Sequence, residues 1–174
     1  MPQTGLVVCV PEAEERFGAL RQRFDPQAQL GVPAHITVLF PFMEPEAIGA
    51  AEHAALAAVF AEVSQFRITL AHVRRFPVTT YLALEKPEPF VALTTAVVRQ
   101  FPEYPPYGGA YESIIPHLTV ADGDAAAAVE VEFSLKQMME SHGPVSALCT
   151  SVSLLENSSG QWRRMHEFSL KNPG

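Results

Sequence analysis

Charge, cysteine and long apolar runs are all scarce in this chain. Only 18% of its 174 residues are Asp, Glu, Lys or Arg, against about 25% in an ordinary soluble domain. Together with 48% apolar residues, that scarcity argues against intrinsic disorder, which needs low hydrophobicity and high net charge. Basic residues are the rarer sign: 12 Lys and Arg stand against 19 Asp and Glu, a net charge of −7. Binding a long DNA duplex rests on neutralising many phosphates, so the balance counts against that partner while leaving room for a small anion in a local pocket. A strongly apolar run such as Ile36 to Phe42 is far too short to span a bilayer, and Met1-Pro2-Gln3-Thr4-Gly5 lacks the basic and apolar segments of a secretory leader. A cytoplasmic protein with no membrane partner is the expectation, working as a monomer. Cys9 and Cys149 lie in separate apolar stretches without metal-ligand spacing and read as reduced, buried thiols.

The length suits one compact domain or two small packed lobes. Leu6 to Val10 reads as a strand ended by Pro11, and Glu12 to Phe24 as a helix with Ala13, Phe17, Leu20 and Phe24 on one face. Further strands are expected at His35 to Phe40, Phe66 to Phe76, Thr80 to Glu85 and His117 to Ala121. Helices are expected at Pro45 to Glu62, Pro89 to Phe101 and Asp124 to Ser141, the last stopped near Gly143. Val145 to Glu156 and Gln161 to Leu170 read as a closing hairpin. The order strand, helix, strand, helix, strand thus occurs twice, with a 31-residue step from His35 to Phe66 and a 30-residue step from His117 to Ala147. Two similar lobes of antiparallel strands and flanking helices, an α+β class, follow from that repeat.

Within the two corresponding strands stand His35-Ile36-Thr37-Val38 and His117-Leu118-Thr119-Val120. Side chains two apart on a strand share a face, so each His projects with its Thr while the apolar pair turns to the core. One such tetrad alone would mean little, because His and Thr occur in strands anyway. From the chain's His, Thr and apolar content, however, roughly 0.07 are expected by chance, before asking that two fall in equivalent strands. Two imidazoles and two hydroxyls on facing walls suit in-line displacement at phosphorus: a base for the entering oxygen, an acid for the leaving oxygen and donors for the non-bridging oxygens. With an unperturbed value near 6.5, one His can be neutral while its partner is protonated, so no metal or other cofactor is called for. Either imidazole can be the base on these grounds.

The segments Pro33-Ala34-His35-Ile36-Thr37-Val38-Leu39-Phe40-Pro41-Phe42 and Pro116-His117-Leu118-Thr119-Val120-Ala121 resemble the paired His-x-Thr-x signatures of the two-histidine (2H) phosphoesterase superfamily, in its bacterial 2′-5′ RNA ligase-like branch. The resemblance extends to Phe76-Pro77 with Tyr81-Leu82 and to the loop Phe101 to Gly109, and so covers most of the chain. It implies a bilobal α+β fold, two pseudo-symmetric antiparallel sheets with flanking helices around a central cleft, forming a single domain over residues 1–174. It also implies metal-independent chemistry on 2′,3′-cyclic phosphates or 2′-5′ linkages of a small nucleotide or RNA terminus. By motif, His35 and His117 become the acid/base pair, and Thr37 and Thr119 the phosphate-binding hydroxyls. Tyr81 becomes a base-contacting candidate by its place in the pattern.

Other residues carry two readings. Tyr104, Tyr107 and Tyr111 in the loop before the second tetrad can stack a nucleobase or simply pack a Pro-rich loop, and Tyr107 is carried as a substrate contact. Phe42 is carried as one too, although its place beside the first strand favours core packing. Arg74, Arg75 and Lys86 read as a solvated strand edge, and Trp162 as hairpin packing. Two functions from other classes remain beside hydrolysis: a nucleotide- or RNA-end-binding module without turnover, and RNA ligation in the reverse direction.

Overall fold

The computed structural model describes residues 1–174. Its strands are β1 (Thr4–Cys9), β2 (His35–Leu39), β3 (Phe66–Arg75), β4 (Thr79–Leu84), β5 (His117–Asp122), β6 (Val145–Cys149), β7 (Ser151–Glu156) and β8 (Arg163–Ser169). Its helices are α1 (Pro11–Phe24), α2 (Pro26–Gln29), α3 (Ala50–Ala61), α4 (Glu88–Gln100) and α5 (Ala125–His142). The strands form two four-stranded sheets, ordered β2-β1-β7-β8 and β5-β4-β3-β6, with every neighbouring pair antiparallel. The sheets correspond strand for strand, and β2 and β5, which carry the tetrads, occupy matching edges. This is the expected α+β architecture of two similar antiparallel sheets. No helix is long and apolar enough to cross a membrane.

Local chemistry accounts for most boundaries. Pro11 does not merely end β1; it opens α1, where its missing N–H costs nothing and its fixed φ is already helical. Asp25 closes α1 and caps α2, its carboxylate accepting from the Gln27 amide at 2.9 Å. Asp124 does the same for α5 through the Ala127 amide at 2.7 Å, and Gly143 ends that helix at φ 74°, a conformation that disfavours a Cβ.

Two expectations need correction. The helix expected over Pro45 to Glu62 starts as a short 3₁₀ turn at Pro45–Ala47, breaks at Ile48 and Gly49, and restarts as α3 with Glu52 accepting from the Gly49 amide. The stretch from Val145 to Glu156 is not one arm of a hairpin. It divides at Thr150: β6 pairs with β3 in the second sheet, and β7 lies between β1 and β8 in the first. Burial alternates along β6, on Val145, Ala147 and Cys149, whereas β7 is buried at every position from Val152 to Glu156, as suits a strand lying inside the first sheet.

The helices pack crosswise. Helix α1, which follows the first strand of one sheet, lies against β5 and β6 of the other, while α4 lies against β2. Helix α5 covers the second sheet and α3 packs on β8. One cluster of 34 buried apolar residues therefore draws on both sheets and includes Ile36, Val38, Leu118 and Val120. Burying each of these tetrad side chains contributes about 1.5–3 kcal/mol, which pins the register that turns His and Thr the other way.

Candidate functional site

The apolar tetrad positions face the core, so His35, Thr37, His117 and Thr119 face the gap between the edge strands. All four line one cavity of about 310 Å³, as the sequence predicts. The two imidazoles are held alike. His35 Nδ1 lies 2.8 Å from the Pro33 carbonyl, and His117 Nδ1 lies 2.7 Å from the Ile115 carbonyl, each two residues upstream. A carbonyl only accepts, so these contacts assign the hydrogen to Nδ1 in both rings and leave each Nε2 as the exchangeable nitrogen of the neutral form.

Their electrostatic surroundings differ. Burial lowers His35 to about 4, and the Arg21 guanidinium and His117 push in the same direction. Burial also lowers His117, but the Asp122 carboxylate works against that shift. Of the two, His35 is the more firmly neutral. Asp122 lines the cavity and accepts from Thr79 Oγ1 at 2.5 Å. No Lys or Arg lines this central cavity, and no group of three or more His, Cys, Asp or Glu is gathered to hold a metal ion.

Tyr107 also lines the cavity. Its φ of 52° is the left-handed conformation, which a residue with a Cβ rarely adopts, and its amide donates to the Phe40 carbonyl at 2.6 Å. That bond ties the Tyr-rich loop to the end of β2 and aims the phenol across the first tetrad. Burial raises the Tyr107 phenol above its ordinary value, with Tyr111 adding and the neighbouring Thr37 hydroxyl opposing. It is a neutral hydroxyl throughout the physiological range.

Two expected substrate contacts sit elsewhere. Tyr81 is buried behind His117, stacked on Phe76 at 4.5 Å and edge-on to the imidazole at 5.2 Å, so it backs the ring rather than lining the cavity. Phe42 is a core residue, packed edge-to-face on Phe101 at 5.3 Å and Tyr104 at 5.2 Å.

Two residues beside the site are not assigned to it by the sequence. Arg21 is 1% exposed. It pairs with Asp25 at 2.8 Å and donates to the carbonyls of Val32 at 3.0 Å and Thr119 at 3.1 Å, thereby fixing the backbone of the second tetrad. Its signal was an Arg four residues after Phe17 on a buried helix face, with Asp25 a further four on. Trp162 lines the cavity and lies edge-on to Phe40 at 6.0 Å. Its position at the end of the hairpin loop held no comparable sign.

A family model described as the 2′-5′ RNA ligase superfamily matches residues 9–161. Among solved structures, E. coli LigT complexed with 3′-AMP is similar over 98% of this chain and 99% of that one, at 17% identity and a TM-score of 0.61. E. coli LigT complexed with NADP+ gives 17% identity and a TM-score of 0.59 over 98% of each chain. The protein TT0787 of Thermus thermophilus gives 17% identity and 0.57 over 99% of this chain and 100% of that one. No curated protein matches the chain by sequence.

Proposed function

The chain belongs to the 2′-5′ RNA ligase superfamily of 2H phosphoesterases, and on that premise we propose that it is a metal-independent phosphodiesterase acting on 2′,3′-cyclic phosphates or 2′-5′ linked nucleotide or RNA ends. The observation that carries this reading is the pair of matched imidazoles, each anchored through Nδ1 and facing one cavity with its own Thr. His35, the more firmly neutral ring, takes a proton from the attacking water through Nε2. His117, beside Asp122, gives its proton to the leaving ribose oxygen. The P–O bond to that oxygen breaks as the bond to water oxygen forms, and one proton is taken up and one released. Thr37 and Thr119 donate to the non-bridging oxygens, whose charge grows in the transition state.

The similarity to a LigT structure holding 3′-AMP supports a nucleotide as ligand, and the absence of Lys and Arg from the central cavity favours substrates held there at one phosphate. The test is hydrolysis of a 2′,3′-cyclic nucleotide in EDTA. Turnover is expected in the unaltered protein, with a loss of at least about 100-fold in His35→Ala and in His117→Ala. Strict dependence on added metal would overturn the mechanism, and tight binding of nucleoside monophosphates without any turnover would make the protein a binding module. Joining of RNA halves would make it a ligase.

A further inference from the structure

The central cavity opens on two sides with opposite electrostatic character. On the side of the second sheet it leads into a space of about 620 Å³ that shares Tyr107, His117, Thr119 and Asp122 with it and adds Glu112, with no Lys or Arg on its walls. On the side of the first sheet it leads past Leu155 and Trp162, which line both spaces, into a cavity of about 380 Å³ walled by Arg163 and Arg164. The strand register makes this second route one continuous face. Val7 stands opposite Thr37 on one neighbour and Ser153 on the other, and Leu155 stands opposite Arg164.

Both arginines have donors to spare. Arg163 meets Glu156 through Nη2 at 3.4 Å, and Arg164 meets Glu167 through Nη1 at 2.9 Å; the two side chains are 64% and 56% exposed. Each pair engages one of several guanidinium N–H groups. The carboxylate on this wall, Glu14, is committed to the Ala34 amide at 2.6 Å and to Arg21 at 3.4 Å.

A terminal cyclic phosphate has a fixed chemical order: phosphate, then a neutral nucleoside, then the next phosphate on the 5′ oxygen. The first-sheet face presents the complementary order, hydroxyls and imidazoles, then Leu155 and the Trp162 ring, then the Arg164 guanidinium in a cavity that Arg163 also lines. The opposite route puts carboxylates where the second phosphate would fall. Resting on the reading of the central cavity as a phosphate site, we propose that the Arg163–Arg164 cavity is a second subsite, for the 5′-phosphate of the terminal nucleotide, so that the substrate runs along the first sheet with its nucleoside over Leu155 and Trp162.

Calorimetry with adenosine 3′-phosphate and adenosine 3′,5′-bisphosphate tests the subsite without turnover. The bisphosphate should bind about tenfold tighter, as charge-assisted contacts to one phosphate allow. Its advantage should diminish in added salt and fall to near one in the Arg163→Gln/Arg164→Gln variant, whose folding is checked by thermal melting. In parallel, kcat/KM for adenosine 2′,3′-cyclic phosphate should rise when a 5′-phosphate is present, and that ratio should collapse in the same variant. Equal affinity for the two ligands, no binding of either, or a bisphosphate advantage that survives the double substitution overturns the subsite. An arginine-dependent bisphosphate advantage with no hydrolysis of either cyclic nucleotide leaves the subsite standing and overturns the proposed reaction instead.

Discussion

Arg21 on α1 donates through Nε to the main-chain carbonyl of Thr119 on β5, at 3.1 Å, across from its own sheet. Thr94 on α4 makes the matching bond, Oγ1 to the carbonyl of Val38 on β2, at 2.9 Å. Each tetrad strand is thus held at a backbone carbonyl by a helix contributed from the other half of the chain. An edge strand needs such support, because one side of its ladder is unpaired. Here the anchor also sets where the His and Thr of that strand point.

Replacing Arg21 with Met should destabilise the protein by about 3–5 kcal/mol, since Asp25 is left as a buried, unpaired carboxylate and two carbonyls lose their donor. Urea unfolding measures it. The double variant Arg21→Met/Asp25→Leu should recover part of the loss; a single variant as stable as the parent would show that the pair does not hold β5.

Thr94→Val keeps the shape of the side chain but leaves the buried Val38 carbonyl without its hydroxyl donor. A loss of about 1–3 kcal/mol in unfolding free energy is expected, the cost of one unsatisfied buried acceptor. The same substitution at exposed Thr95 should change stability far less.

Activity in the proposed reaction needs His35 neutral and His117 protonated. His35 is lowered to about 4, so kcat/KM should climb as pH rises past that value. His117 lies below its ordinary 6.5, so the rate should fall as pH passes it, and the optimum sits on the acid side of neutrality. Asp122→Asn removes the carboxylate that opposes the His117 shift and should move the alkaline limb to lower pH. An alkaline limb that does not move would show that His117 is not the group titrating there and would overturn its assignment as the acid.

Phe42→Ala should cost about 3–5 kcal/mol by opening a cavity against Phe101 and Tyr104. Because Phe42 lies in the core rather than on the cavity wall, kcat/KM per folded molecule should stay within a few-fold of the parent at low temperature. A large rise in KM with unchanged stability would return Phe42 to the ligand site.

The tetrads were legible because two independent signals coincide in them, a period of two and a repeat in matched strands. What periodicity cannot carry is the partner of a face. The apolar stripe of α1 identified Ala13 and Phe17 as buried, but nothing in it said that the covering strand would be β5, or that Arg21 rather than Leu20 would complete the buried face. Arg21 escaped because an arginine on a helix ordinarily reads as solvated, and its burial depends on an acceptor, Thr119, far away in sequence. Tyr81 and Phe42 were aromatic residues near a motif, and nearness in sequence does not tell which side of a wall a ring is on. The division at Thr150 was not legible because no Gly or Pro marks it and apolar residues continue on both sides, from Val145, Ala147 and Cys149 to Val152, Leu154 and Leu155.

The passage of the chain back into the first sheet after Thr150 has a consequence for the order of folding. Strand β1, opening at Thr4, takes as its inner neighbour β7, where Glu156 stands opposite. The β1-β7 pair is therefore among the least local contacts of the fold, whereas β3 and β4 meet across a short turn. Because the entropy of closing so long a loop must be met before its contacts reward it, the wall that carries His35 is expected to be completed late in folding, after the β3-β4 hairpin of the second sheet.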